Sequence, residues 1–562
     1  MSTLDDILNR PMRPPESEHL ARAPFPEGTW SGIPLKTMYR PDDAASISYE
    51  QDLGDPGSFP YARGIHADMY RKHLWTHREI CGFGHAGDTN KRMRYLLDEG
   101  NTGLNVIFDQ VHMMGLDADH ARAPGVVGMM GVNVSTLSDF HELFDGIDLA
   151  KVNVSLINPT ASGFCTYALY IALAEERGLD IARLKGSNQN DTLHCRYFGY
   201  APGSPYSVAL KCAADNIEFA TRYMPRWYVA TFNSHGWRET GIDAAQEIAF
   251  CFARAKLYIN TALQRGGLAI DDFGPRIGFY AGVHMDMFEE VAKLRAARRI
   301  WARIMRDEFG AKDPRSMQYR FGVHTVANTL TPQQPLINIA RVAIQAMTAV
   351  LAGCQSLQAC PYDEPNSLPT EESHRIALRT QQIVANESGV TKVADPLGGS
   401  WYLENLTNEI EKRILYWMDQ VAAQGGMVEA MRSKWIEDQM HQGAMMEQHR
   451  IETGEQIIVG MNAFQSTDDK EELSIPIHRM PKGSAEECVA RLEAHKRKRD
   501  AALVEKKLKD VEDSARAGQN SIRAAVESAK AGATHGEIMK AVRRAFGYPA
   551  DIMEAADLGL VD

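Results

Sequence analysis

The chain has 562 residues, 61 Lys and Arg against 73 Asp and Glu, and a net charge of −12 at pH 7. Hydrophobic residues make up 44% and charged residues 24%, the balance of a globular protein with ample chain to bury a core. The acidic excess speaks against a general nucleic-acid binder or a membrane-surface protein, and no run of about 18 apolar residues predicts a membrane span.

The N-terminus, MSTLDDILNRPMRPPE, is polar and lacks the apolar core of a signal peptide, so a cytoplasmic protein is expected. The eight cysteines include no C-x-x-C pair and read as buried, reduced thiols. Neither disulfides nor a zinc site is expected from them, and no metal ligand set is assigned.

Residues 1–58 show little periodicity and read as an N-terminal arm. From about residue 100, short β-rich runs recur: Gly103–Asp109, Lys151–Ile157, Leu184–Gln189, Trp227–Ser234, Arg276–Ala281, Tyr319–Thr325, Ser356–Cys360 and Thr391–Asp395. Helix-period segments such as Ala244–Leu263, Met285–Asp307 and Gln334–Leu351 fill the gaps. This alternation predicts an α/β fold, a (β/α)8 barrel over residues 59–410.

Alternate strand positions are polar: Asn153 and Ser155, Thr231 and Asn233, Ser356 and Gln358, with His324 and Thr325 ending another strand. With helices outside, the apolar set faces them and the polar set faces the barrel axis. Unpaired buried polar groups are costly, so a polar ligand is expected along that axis.

Residues 411–562 read as a helical C-terminal extension. Ala485–Ala517 is rich in charge and alanine, as a solvated helix laced with i,i+4 pairs would be. Gly82-Phe-Gly84-His-Ala-Gly87 matches G-x-G-x-x-G, but the preceding WTHREIC does not read as the strand a dinucleotide site needs. No other self-contained catalytic motif occurs. Arg63, Arg71, Arg78, Arg226 and Arg276 lie near turns and strand ends, where convergent guanidiniums can hold phosphate.

Several stretches together resemble one family: PYARGIHADMYRKHLWTHREICGFG (60–84), QNDTLH (189–194), FGPRIGFYAG (273–282), EVAKLRAARRIWA (290–302), SLQACPYDEPNSLPTEESHRIALRTQ (356–381) and ESGVTKVADPLGGSWYLENLT (387–407). They are similar to the large, substrate-binding subunits of the cobalamin-dependent acyl-CoA mutases, the methylmalonyl-CoA mutase family. The resemblance implies a (β/α)8 barrel threaded by the pantetheine arm of coenzyme A. It also implies a radical carbon-skeleton rearrangement with adenosylcobalamin, in which the cofactor carries the hard chemistry. Complete members carry a D-x-H-x-x-G cobalamin loop; Asp139-Phe-His141 opens like it, but Phe144 stands where glycine is needed. The resemblance is therefore closest to the split type, and implies a separate small cobalamin-binding subunit in a heterodimer or heterotetramer.

The resemblance assigns acyl-CoA binding to Met69, Tyr70, Arg71, Thr76, Arg78, Ser187, Arg226 and Arg276, and cofactor contact to His324, Asp363 and Glu364. It places Gln189, Ile80, Gly199, Gly236 and His235 around the reacting acyl group. Three of these depart from methylmalonyl-CoA mutases: Ile80 replaces a tyrosine, Gly199 the arginine that pairs with the substrate carboxylate, and Gly236 a histidine. Gly322 and His324 replace a histidine and a glutamine. A carboxylate in a closed pocket without its partner costs several kcal/mol, on the order expected for an unpaired buried charge. The expected substrate is thus a neutral branched acyl-CoA of the 2-hydroxyisobutyryl, isobutyryl or pivalyl type. A non-catalytic CoA-binding or assembly paralogue is the rival reading.

Overall fold

A computed structural model of the chain describes residues 28–197, 204–465 and 475–551. They form two compact units, each discontinuous in sequence. The first draws on residues 28–77, 233–257, 279–465 and 475–478; the second on residues 78–197, 204–232, 258–278 and 479–551.

Ten strands occur among the described residues: β1 Thr76–Arg78, β2 Ile80–Cys81, β3 Gly103–Ile107, β4 Asn153–Ile157, β5 Gly186–Asn188, β6 Trp227–Tyr228, β7 Ala230–Asn233, β8 Ile277–Val283, β9 Phe321–Thr325 and β10 Ser356–Gln358. Every strand pair with a defined register is parallel, and helices separate most of the strands in sequence, which defines a mixed α/β fold. Seven of the eight expected strands are present. Thr391–Asp395 is not a strand: Val390–Lys392 makes a 3-10 turn, and Asp395 accepts from Arg63 and Arg295. The unexpected strands are β1 and β2, within the polar WTHREIC segment.

In the second unit the strand order is β2-β3-β4-β5-β6. Leu104, Val106, Val154 and Leu156 are fully buried on one face, as the period of two requires. Helix Gly163–Glu176 is apolar all round and buried from Gly163 to Ala174. The charged run 485–517 is two helices, Ser484–Lys498 and Ala501–Arg516, and Asp500 caps the second by accepting from Leu503 N–H at 3.0 Å. The expected i,i+4 pairs are present, such as Lys509–Asp513, but Lys496 also reaches Asp119 and Arg491 reaches Glu142. Further along, Asp117 accepts from Thr534 Oγ1 and Gly536 N–H at 2.6 and 2.9 Å, and the rings of His535 and His112 stack 3.5 Å apart. These helices are docked on the unit, not merely solvated.

In the first unit β9 lies between β8 and β10. Phe279, Ala281 and Val283 of β8 turn toward helices; Phe279 packs on Phe252, Trp301 and Tyr319. Helix Met287–Arg303 is buried from Glu289 to Ala302 despite its charges. Arg295 pairs with Asp395 and Glu404, both at 2.6 Å, and Arg298 donates to Tyr61 O and Ala62 O. Lys293 donates to Glu247 Oε2 at 2.6 Å, to Gly282 O at 2.7 Å and to Glu290. Removing one partner of a fully buried ion pair leaves the others uncompensated. Lys293→Met is therefore expected to lower the unfolding free energy by about 3–5 kcal/mol, measured by denaturant unfolding; a loss within about 0.5 kcal/mol would contradict the network.

Candidate functional site

In the second unit one row crosses the sheet: Ile80, Asn105, Ser155, Ser187 and Tyr228 stand opposite one another in register. Ser187 Oγ lies 3.3 Å from Ser155 Oγ. Arg78, at the end of β1, spans the next level. Its guanidinium donates to Leu104 O and Asn105 Oδ1 at 3.1 Å each and to Asn153 Oδ1 at 2.5 Å. A side chain at Gly103 would collide with that guanidinium, so the glycine makes its room. The polar positions of β3, β4 and β5 thus share one face, as their alternation predicts.

Gln189 follows β5, buried, with its N–H on Leu156 O and its side-chain Oε1 without a partner. Asn188 turns to the opposite face and accepts from Trp227 Nε1 at 3.1 Å. Arg276 donates to Ala220 O and Met224 O at 3.1 Å and to Asp272 O at 2.7 Å, closing the end of helix Tyr206–Tyr223. Burial holds its guanidinium below the usual arginine range. Arg226 is exposed. Gly199 lies outside the described residues.

The first unit holds a second group. Two rows cross its sheet: Tyr280, Gly322 and Ser356, then Gly282, His324 and Gln358. The Tyr280 hydroxyl donates to Gln358 Oε1 at 2.7 Å, diagonally across Gly322. A Cβ at Gly322 would approach the Tyr280 ring to 3.0 Å, so the glycine lets the tyrosine lie over β9.

His235 opens the one-turn helix His235–Arg238. Its ring lies 4.2 Å from that of His324 and 5.5 Å from that of Tyr280. Gly236, next in the turn, is buried and bonds Asn233 Oδ1 through its N–H at 3.2 Å. His324 is buried and places Nδ1 2.7 Å from Thr325 O; burial pushes its pKa down to about 4, so the ring is neutral. Glu239 accepts from Ala327 N–H at 2.6 Å, and burial pushes it up to about 7.

Of the acidic pair, Asp363 is buried and accepts from Thr370 N–H at 3.2 Å at the start of helix Glu371–Asn386. Glu364 is pushed up to about 8, first by burial and then by the charges of Glu239 and Asp363. Met69 and Tyr70 sit on a single 3-10 turn, with Tyr70 donating to Cys354 O at 2.7 Å; Arg71, on the same turn, is exposed. Thr76 N–H bonds Gln355 O.

The structure therefore joins Ile80, Arg78 and Ser187 on the face of one sheet, and His235, His324 and Glu364 around another. Tyr280, Glu239 and Cys360 were not singled out from the sequence. The His235-x-x-x-Glu239 spacing, one helical turn, is the signal that could have found Glu239.

The family model described as Methylmalonyl-CoA mutase matches residues 28–548. The 2-hydroxyisobutanoyl-CoA mutase large subunit of Aquincola tertiaricarbonis is 38% identical over 521 residues, 92% of either chain. The methylmalonyl-CoA mutase of Rhizobium meliloti (strain 1021) is 37% identical over 529 residues, 93% of this chain and 73% of that one. The mitochondrial methylmalonyl-CoA mutase of Homo sapiens is 36% identical over 524 residues, 92% and 68% of the two chains. The chain belongs to the methylmalonyl-CoA mutase family, the cobalamin-dependent acyl-CoA mutases, and is an enzyme of the isomerase class. No described helix is long and apolar enough to cross a membrane.

The raised carboxyls fix a sign for pH dependence. A group whose folded pKa exceeds its unfolded value stabilises the fold at low pH and loses that contribution as pH rises between the two values. For Glu364 the window runs from about 4.5 to about 8. The slope is at most about 1.4 kcal/mol per pH unit, and the partial exposure of Glu364 reduces it. Glu364→Gln should flatten the decline of stability between pH 5 and 8, measured as unfolding free energy against pH. A wild-type decline unchanged in the variant would count against the buried, protonated carboxyl. His324 acts oppositely: stability falls as pH drops from about 6.5 to about 4.

Proposed function

We propose that this chain is the large, substrate-binding subunit of an adenosylcobalamin-dependent mutase that isomerises a neutral branched acyl-CoA, of the 2-hydroxyisobutyryl, isobutyryl or pivalyl type. On this reading residues 59–410 form a (β/α)8 barrel, residues 1–58 an arm and residues 411–562 a helical extension. A small cobalamin-binding subunit completes a cytoplasmic heterodimer or heterotetramer.

The observation that carries the neutral acyl group is the company of His235. Its neighbours are the neutral His324, the Tyr280–Gln358 pair and Glu239, and Glu239 in turn faces Glu364. A substrate carboxylate there would find no cation among these side chains, at a cost of several kcal/mol, on the order of an unpaired buried charge. Ile80 adds an apolar wall to the row that holds Asn105 and Ser155.

The groups fit the ligands. The orphaned Gln189 Oε1 is a buried acceptor awaiting a donor, and the Asn153, Ser155 and Ser187 face suits the amides of pantetheine. Met69, Tyr70, Arg71, Thr76, Arg78, Arg226 and Arg276 complete the proposed CoA contacts. Carboxyls kept protonated near neutrality, as in Glu364, can donate to nucleoside hydroxyls, so His324, Asp363 and Glu364 would hold the adenosyl side of the cofactor. When bound, adenosylcobalamin supplies the radical chemistry of the rearrangement. The chain's own residues orient the acyl group and exclude water: Tyr280 fixes Gln358, and Asn233 fixes His235.

Turnover of an acyl-CoA panel with adenosylcobalamin and a cobalamin-binding small subunit tests the reading. Neutral branched acyl-CoAs should isomerise faster than methylmalonyl-CoA. Efficient formation of succinyl-CoA would sink the neutral assignment, and a lack of turnover on every substrate would favour the assembly paralogue. The arginines give a second expectation. Arg226→Ala, at an exposed position, should raise KM by about 10–100-fold with little change in kcat or Tm, the loss of one charged hydrogen bond. Arg276→Ala should raise KM and also lower Tm, because the same guanidinium closes a helix end. Wild-type KM in both variants would remove these positions from the CoA site.

A further inference from the structure

We infer that the first unit carries a second ligand site, a cavity beside His284 that takes an apolar molecule ending in a hydroxyl or other hydrogen-bond donor and bearing no negative charge. The cavity has a volume of about 840 Å3, enough for a drug-sized molecule. Leu330, Ile337 and Ile344 line it from the stretch that leads from β9 into helix Asn338–Leu351. Ile451, Ile457 and Met461 line it from the end of helix Trp435–Thr453 and the chain that follows. Of the residues grouped around His235, only Glu239 borders it, so it is distinct from the proposed acyl and cofactor site.

Two buried side chains in this cavity carry polar atoms that the described residues leave unmet. His284 directly follows β8 and is 3% exposed, its ring tilted against Trp30 at a centroid distance of 4.8 Å. Neither of its ring nitrogens has a hydrogen-bond partner, and Glu447 Oε1, 4.0 Å from Nε2, is beyond hydrogen-bond reach. Gln456 is 5% exposed and is fixed by its backbone N–H on Arg450 O at 3.0 Å, while its side-chain Oε1 is unmet. Buried polar atoms are nearly always paired, because an unpaired one loses its water without compensation. Three such atoms lining one cavity mark where a ligand's polar end belongs.

The chemistry of these atoms sets the class of ligand. Burial first, then the charges of Arg238 and Lys293, hold the His284 imidazole well below its usual pKa, so the ring is neutral. A neutral imidazole offers one N–H and one lone pair, and a hydroxyl answers both. The Gln456 Oε1 only accepts, which again calls for a donor. An anion is refused: Glu239, Asp286 and Glu447 all border the cavity. The lining guanidinium of Arg341 is already held by Thr331 Oγ1, Asn338 Oδ1 and Val459 O at 3.1, 2.6 and 2.6 Å. The inference concerns this cavity alone and does not rest on the mutase reading.

The test titrates the full chain with 4-phenylbutan-1-ol by calorimetry and repeats the titration with 4-phenylbutyrate, its anionic counterpart. One equivalent of the alcohol should bind saturably, and the carboxylate should bind at least about tenfold more weakly. His284→Phe keeps the ring and removes its nitrogens, and should weaken the alcohol by about tenfold, the loss of one to two hydrogen bonds. Ala340→Trp, on the cavity wall, should abolish binding by filling the space. Trp401→Ala, at an exposed aromatic outside the cavity, should bind as wild type does, and saturating coenzyme A should not displace the alcohol. Absence of saturable binding to the folded wild type, equal affinity for alcohol and carboxylate, unchanged affinity in both cavity variants, an equal loss in Trp401→Ala, or displacement by coenzyme A would overturn the site. Matching far-UV spectra and Tm across the variants keep a folding defect from imitating a lost ligand.

Discussion

The first unit depends on one buried carboxylate. Glu247 Oε1 accepts from Ser234 Oγ and from Gly282 N–H, both at 2.8 Å, while Oε2 meets Lys293. Ser234 precedes His235, and Gly282 lies in β8 two residues beyond Tyr280. A single side chain therefore fixes the start of the His235 turn against the strand that carries the tyrosine. Lys293 adds a bond to Gly282 O, so the strand is gripped through both its N–H and its carbonyl. Buried ion pairs contribute little net stability once desolvation is counted. Their effect here is positional, and it acts on the side chains that the proposed chemistry needs.

The two sheets use the period of two in different ways. In β3 and β4 the apolar residues turn to the helices, and the polar ones form rows linked by Arg78 and by serine hydroxyls. In β8 and β9 the inward positions alternate between glycines and large hydrogen-bonding side chains. Gly322 is the space into which the Tyr280 ring fits, while a side chain at Gly282 would meet Val326 and Arg238. The small residue at Gly322 is thus the imprint of a large one on the adjacent strand.

That coupling explains what the sequence could and could not reveal. The β-rich runs at Gly103–Ile107, Asn153–Ile157 and Phe321–Thr325 were legible because their helix-facing residues are strongly apolar. Thr76–Cys81 was not, because Thr, His, Arg and Glu fill it; Glu79 is nevertheless fully buried. The strand that G-x-G-x-x-G requires is therefore present ahead of Gly82. Its glycines have another use: a Cβ at Gly82 would strike Ile107 O, and one at Gly84 would strike Asp88 and Ser484. Close packing, rather than a pyrophosphate, accounts for them. Thr391–Asp395 misled in the opposite sense, since its β-branched residues stop at Asp395, a carboxylate committed to two arginines. Long-range partners of this kind leave no local pattern.

The arginines carry the same lesson into the electrostatics. Convergent guanidiniums in a sequence suggest an anion site, yet Arg298 spends its fork on Tyr61 O, Ala62 O and Ala352 O, and Arg276 on three carbonyls. The planar fork makes arginine a cross-link for backbone oxygens as readily as a phosphate clamp. Burial without a counter-charge then lowers the guanidinium's own pKa, to about 10 for Arg298. Around His235 the balance is reversed, with carboxyls raised and an imidazole held neutral. A carboxylate brought into such a group adds a like charge where Glu239 and Glu364 already resist ionising, whereas a hydroxyl or methyl group adds none. On the proposed reading, selectivity for a neutral acyl group follows from which charges the fold has already committed elsewhere.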